Sequence, residues 1–166
     1  MKKVISIKKH GIYDFELGNF SSNLIYIFVV KTDKNVKINI SGKVDKNASL
    51  KVYFVPHVED FDIESKINMV VFNDGNLSIA ADALLKNSEN VDSTIYSDLK
   101  ELHKGRVVVS KNILVFDNPV VKAVPEFSIL PGGIEQIHGM VIYGLETMQR
   151  FFLRNRGISN LKKLFV

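Results

Sequence analysis

Val36-Lys37-Ile38-Asn39-Ile40 sets three β-branched residues on one side of an extended chain and Lys37 and Asn39 on the other. Period-two alternation with β-branched enrichment is the signature of a strand with one buried face. The polar group Asp45-Lys46-Asn47 then interrupts the pattern, and it resumes as Leu50, Val52 and Phe54 against Lys51, Tyr53 and Val55. Ile67, Met69 and Val71 follow, then Leu77, Ile79, Ala81 and Ala83. Working outward, the same reading gives strands at 5–15, 24–30, 106–110, 113–116, 120–129 and 134–142.

Turn signals stand between these runs: Asp33-Lys34-Asn35, Asp45-Lys46-Asn47, Asn73-Asp74-Gly75, Asn87-Ser88-Glu89-Asn90, His103-Lys104-Gly105, Asp117-Asn118-Pro119 and Pro131-Gly132-Gly133, with a weaker one around 56–62. Asn, Asp and Gly accept left-handed backbone, so such clusters turn a chain. Their spacing is about 14 residues without a side-chain consensus, which makes it a structural rhythm and not a sequence repeat. Two all-β architectures fit, an antiparallel sandwich and a stacked β-solenoid.

After Gly144 the period changes. Leu145, Met148, Phe151 and Phe152 form a helical face, with Glu146 in the first turn and Arg150, Arg154 and Arg156 towards the end, as the helix dipole favours. Gly157 is placed to end this helix, and Ser159 to cap a second one carrying Leu161, Leu164 and Phe165. The expected organisation is one domain over 1–166, with strands from about 4 to 143 and a helical segment from about 144 to 166.

The 166 residues are 46% hydrophobic and 24% charged, which is a globular composition with enough chain for a core. The absence of Cys excludes disulfides, thiolate metal sites within this chain and a Cys nucleophile. The net charge of +4 is dispersed along the chain and makes no nucleic-acid-binding stripe. The N-terminal stretch lacks the apolar core of a signal peptide, and no apolar run approaches the ~20 residues that span a bilayer. The expectation is a cytoplasmic protein with no membrane insertion and no nucleic-acid partner.

Candidate chemistry is sparse. His138 lies in a strand pattern beside Gly139, where a bulge or close backbone approach is expected. It reads either as a hydrogen-bonded strand histidine or as a ligand for a borderline metal. His57-Val58-Glu59-Asp60-Phe61-Asp62-Ile63-Glu64 gathers carboxylates and one imidazole, yet lacks the spacing and glycine of a calcium loop, so a solvated turn is the better reading. Glu101-Leu102-His103-Lys104-Gly105 reads as a surface loop, and His10 is uninformative. No nucleophile elbow, phosphate-binding loop or dinucleotide fingerprint occurs, which argues against an autonomous enzyme. Phe151 and Phe152, flanked by arginines, have the composition of a binding hot spot, although an amphipathic face also packs on a core.

Several elements taken in order resemble the SufB/SufD family of iron–sulfur cluster assembly: Gly105-Arg106-Val107-Val108-Val109, Val124-Pro125-Glu126-Phe127-Ser128-Ile129, Ile137-His138-Gly139, Tyr143-Gly144-Leu145-Glu146, and Phe151-Phe152-Leu153-Arg154-Asn155-Arg156-Gly157-Ile158-Ser159. The resemblance covers about residues 105–160. It implies a right-handed parallel β-helix capped by short C-terminal α-helices, and a non-catalytic scaffold role. The implied partners are a SufC-like ABC ATPase, bound through Phe151, Phe152, Arg154, Arg156 and Leu161, and a SufB-like or self partner in a hetero- or homodimer. His138 falls on the family histidine associated with the nascent cluster, which implies no stably bound cofactor and at most a transient iron–sulfur cluster. Gly139 stands where the SufB branch has Glu, so the chain looks SufD-like.

Overall fold

A computed structural model describes residues 1–44, 46–58, 60–72, 75–83, 105–115, 120–125, 134–144 and 155–156. Ten strands account for most of them: β1 (Lys2–Ile7), β2 (Gly11–Asn19), β3 (Asn23–Val30), β4 (Val36–Val44), β5 (Asn47–Pro56), β6 (Asp62–Val71), β7 (Asn76–Ala83), β8 (Gly105–Val115), β9 (Val120–Pro125) and β10 (Ile134–Gly144). The expected C-terminal helices lie outside the described residues, except for Asn155 and Arg156.

The sheet order decides between the two architectures. One five-stranded sheet is ordered β1-β3-β5-β7-β9 and the other β10-β8-β6-β4-β2. Every pairing is parallel. The chain therefore changes sheet at each turn and returns one strand further along. This is a parallel β-solenoid of about four turns, not an antiparallel sandwich. The 14-residue rhythm of the sequence is half a coil. Stacked partners such as Asp14 and Asn39 are 25 residues apart, Asn23 and Ser49 are 26 apart, and Asn47 and Asn76 are 29 apart. The separation widens to 44 where residues 84–104 fall between β7 and β8.

The alternation read from the sequence becomes the inside and outside of the coil. In β4, Val36, Ile38, Ile40 and Val44 point in and are fully buried, while Lys37 and Ser41 face out. Parallel register places each inward residue over another, so Ile38 lies between Tyr13 and Ser65, and Ile40 between Phe15 and Ile67. In the opposite sheet the rings of Phe28 and Phe54 stack with centroids 6.0 Å apart at 16°. Phe15 reaches across from β2 to within 5.0 Å of the Phe28 ring. Such aromatic contacts contribute ~0.5–1.5 kcal/mol each beyond the area they bury.

Corners carry the ladder around the bends. The backbone N–H of Lys31 donates to Ile7, that of His57 to Val30, and that of Phe72 to Val44, at 2.8–2.9 Å. Buried Phe20, Phe61 and Phe72 occupy corner positions. On the outer face, side-chain amides bond along the stack, as from Asn76 Nδ2 to Asn47 Oδ1 (2.6 Å) and from Asn112 Nδ2 to Asn68 Oδ1 (3.1 Å).

Several sequence expectations shift. The 5–15 run divides into β1 and β2 at Lys8-Lys9-His10. The 106–110 and 113–116 runs are one strand, β8, because Lys111 points inward and does not break the pattern. The 120–129 run is described as strand only as far as Pro125. Leu24 to Val30 is apolar without alternation because β3 is buried on both faces. Its outward Ile27 and Val29 form a second small cluster with Val55.

Two glycines are demanded by geometry. Gly18 has φ +64° at the register shift between Glu16 and Asn19, a left-handed conformation that disfavours side chains. A Cβ at Gly105 would enter the Phe61 ring. Gly105→Ala is therefore expected to lower stability by about 1–3 kcal/mol through overpacking, and Phe28→Ala by about 3–5 kcal/mol through the cavity it leaves. Urea titration monitored by circular dichroism measures both. Gly105→Ala combined with Phe61→Leu should recover part of the first loss.

Candidate functional site

The interior of the β2–β10 sheet is aromatic and aliphatic over its first coils and gains polar residues from β6 onward. The inward row through His138 reads Tyr13, Ile38, Ser65, Val109, His138, and the next row reads Phe15, Ile40, Ile67, Lys111, Met140. Ser65 is 4% exposed and Lys111 3%. His138 is half-buried, and both its ring nitrogens are shielded from solvent. Neighbouring strands stand ~4.8 Å apart, so Lys111 on β8 is the diagonal neighbour of Ser65 on β6 and of His138 on β10. The fold thus gathers a hydroxyl, an ammonium and an imidazole from three successive strands.

The expected bulge at Gly139 does not occur. β10 pairs with β8 in unbroken register from Ile134 to Gly144, and a Cβ at Gly139 would meet nothing closer than 4.0 Å. His138 is inward because of its parity in the strand, not because of a local distortion.

Ser65 and Lys111 are functional candidates that the sequence reading did not select. Their signal is positional. Ile63, Ile67 and Met69 fix the inward parity of β6, which includes Ser65. Val107, Val109 and Ile113 do the same for Lys111. Burying an ammonium or an unbonded hydroxyl opposes folding, so polar residues at such positions need a reason. The Ser65 Oγ has no hydrogen-bond partner.

Donor chemistry limits what this island holds. The ammonium and hydroxyl suit an anionic or polar group. His138 supplies one imidazole suited to iron, but the neighbouring Lys111 ammonium is unfavourable for a cation. Among the described residues no group of three or more His, Asp or Glu comes together as a metal site, and the chain has no Cys. A nascent cluster handled here as cargo would therefore take its thiolate ligands from a partner.

The other candidates separate in space. His57, Val58 and Asp60 sit at a corner cleft of about 610 Å³ with Lys8, Lys31 and Asp33, while Asp62 and Glu64 lie on the outer face of β6. There Arg106 Nη1 stands 3.4 Å from Asp62 and 3.6 Å from Glu64, its Nε stands 3.7 Å from Glu135, and Lys37 approaches Glu64 at 3.2 Å. The acidic stretch is thus distributed between a mixed-charge corner and an ion-paired outer ladder. His10 is exposed in the β1–β2 turn. Residues 101–104, Phe151, Phe152, Arg154 and Leu161 lie outside the described residues, and Arg156 is exposed.

At this end of the coil the outermost strand of the sheet is also apolar and open. Ile137, Met140, Val141, Ile142 and Tyr143 are each 43–55% exposed. Among the described residues, no helix is long and apolar enough to cross a membrane.

Comparison with protein-family models, with curated proteins and with solved structures gives no match.

Ser65→Ala is expected to keep the fold and raise stability by about 1 kcal/mol, because it removes a buried hydroxyl that lacks a partner. Arg106→Ala is expected to cost under about 1 kcal/mol, since its pairs are solvent-screened. Urea midpoints of the two variants beside the parent chain check both.

Proposed function

We propose that this chain is a non-catalytic scaffold that works by docking other subunits on a rigid β-solenoid, in the manner of a minimal SufD-like protein. The observation that carries the reading is the polarity of the coil. Its interior is close-packed aliphatic and aromatic over the early turns, and Ser65, Lys111 and His138 collect at the later turns beside the open, apolar β10 strand. A parallel β-solenoid is also the architecture implied by the SufB/SufD resemblance.

On this reading the protein is cytoplasmic and carries no resident cofactor. Its C-terminal segment docks a SufC-like ABC ATPase through Phe151, Phe152, Arg154, Arg156 and Leu161. A SufB-like or self partner meets the coil, and His138 attends a transient iron–sulfur cluster whose remaining ligands come from that partner. ATP-driven movement passes through the C-terminal segment to the sheet.

The resident charge favours a second reading, a stand-alone β-solenoid interaction module without cluster handling. Lys111, 3% exposed and diagonal to His138, supports it, because an ammonium disfavours a nearby iron site.

Co-purification of the full chain with a SufC-like ATPase tests the first reading. Phe151→Ala with Phe152→Asp is expected to weaken that complex at least 30-fold, which corresponds to loss of a hot spot of about 2 kcal/mol. Unchanged binding by a folded double variant removes the C-terminal segment from the mechanism. Absence of ATPase binding, together with cluster delivery left unaltered by His138→Ala, favours the stand-alone module.

A further inference from the structure

We propose that two copies of this chain associate head to head through the β1–β2 end of the solenoid, with β1 of each copy pairing antiparallel to β2 of the other. This inference does not rest on the SufD-like reading, which uses the opposite end of the coil.

Each of these strands bonds to a single neighbour, β1 to β3 and β2 to β4, and no described strand lies beyond them. Among the described residues, one edge of each therefore carries no strand partner, and such an edge is the usual template for strand addition. The interior at this end is also incompletely covered. Ile5, Tyr13, Phe15 and Leu17 point inward yet are only half-buried, whereas Ile38, Ile40, Leu50 and Val52 in later turns are fully buried. Outward-facing Val4 and Ile12 are 56% and 65% exposed. A second rung of matching width would cover all of these together.

The charge pattern selects which rung. β1 carries outward Lys2, and the turn after it Lys8 and Lys9, with no acid, while β2 carries outward Asp14 and Glu16 with no base; Lys3 has inward parity and lies over the Tyr26 ring at 5.6 Å. Lys2, Lys8, Lys9, Asp14 and Glu16 are all exposed. Pairing β1 with β1 and β2 with β2 sets like charges against each other. Crossed pairing sets the lysines of one copy against Asp14 and Glu16 of the other, and does so twice. Opposite charges on facing strands are favourable and like charges unfavourable by comparable amounts.

The backbone permits the crossed arrangement. Residues 8–10 reverse the chain, so β1 and β2 run in opposite directions on the two sheets. Consistent with this, the Phe15 ring of β2 meets Phe28, whose β1 partner is Ile5. A two-fold axis parallel to the strands then brings each β1 beneath the β2 of the other copy in antiparallel orientation. The interface is isologous and closed, so it ends at a dimer and does not propagate.

Sedimentation velocity on the 166-residue chain tests the proposal. A discrete species of about 37 kDa, twice the 18.7 kDa chain, is expected at micromolar concentration. Asp14→Lys with Glu16→Lys should weaken association at least tenfold, as should Lys2→Glu with Lys8→Glu. An equimolar mixture of the two variants should form a heterodimer, and circular dichroism checks that each variant is folded. A monomeric parent chain overturns the proposal. So does a dimer that survives either charge reversal in a folded variant, or failure of the mixture to reassociate. Open-ended polymers also overturn it, since they signal head-to-tail stacking of β1 and β2 on β9 and β10.

Discussion

Parallel, in-register stacking is the constraint on which the structure depends. Strands ~4.8 Å apart in the same direction place each side chain over its counterpart one coil away. Whatever a residue needs, its neighbours on adjacent coils must supply. Phe28 is satisfied by Phe54, Leu24 by Leu50, and Asn47 by Asn76. The same rule makes an inward polar residue conspicuous, because its axial neighbours are usually aliphatic. Ser65 lies between Ile38 and Val109, and Lys111 between Ile67 and Met140. The coil therefore sorts its own interior, and departures from aliphatic packing stand out as discrete rows.

Strand existence was legible because period two survives in single segments. Val36, Ile38 and Ile40 announce a buried face without reference to any other part of the chain. The choice between coil and sandwich was not legible in the same way. It is decided by which strand pairs with which, and the partners lie 23 to 44 residues apart with no repeated side-chain signature. The half-coil rhythm was visible, but a turn every 14 residues is compatible with reversal onto the next strand or passage to the other sheet. Lys111 shows a second limit. A charged residue inside an alternating run looks like a break, and only the continuous pairing of β8 with β6 and β10 restores it to the strand.

Site legibility follows the same division. His138 was selected from its residue type and from Gly139, and the coil does place it inward, but by parity and not by a bulge. Ser65 was passed over because serine is common on strands and its burial depends on Ile63 and Ile67 sharing its face. The acidic stretch 57–64 looked like one cluster in sequence. A corner divides it, since Asp62 starts β6 and projects to the outer face with Glu64 while His57 and Asp60 stay in the bend. Closeness in sequence is a poor guide to a site where the chain turns a corner every half coil.

Quasi-one-dimensional packing also says where such a molecule is able to act. Each coil touches only its neighbours, so stability is roughly a sum of coil and nearest-neighbour terms, and the end coils have one neighbour instead of two. Middle coils such as that of β4 and β5 are buried above and below and resist change. The ends, with half-buried Phe15 at one and exposed Met140 and Ile142 at the other, hold the apolar surface still available for contact. A partner that binds an end supplies the missing neighbour, and its binding free energy adds to the stability of the coil it covers. Association and folding are therefore coupled most strongly where the interior is least complete. The end that carries Lys111 and His138 combines that coupling with polar groups whose burial a partner would deepen. Docking there must accommodate those groups as well as cover apolar surface, and this gives specificity to a surface that hydrophobicity alone would leave promiscuous.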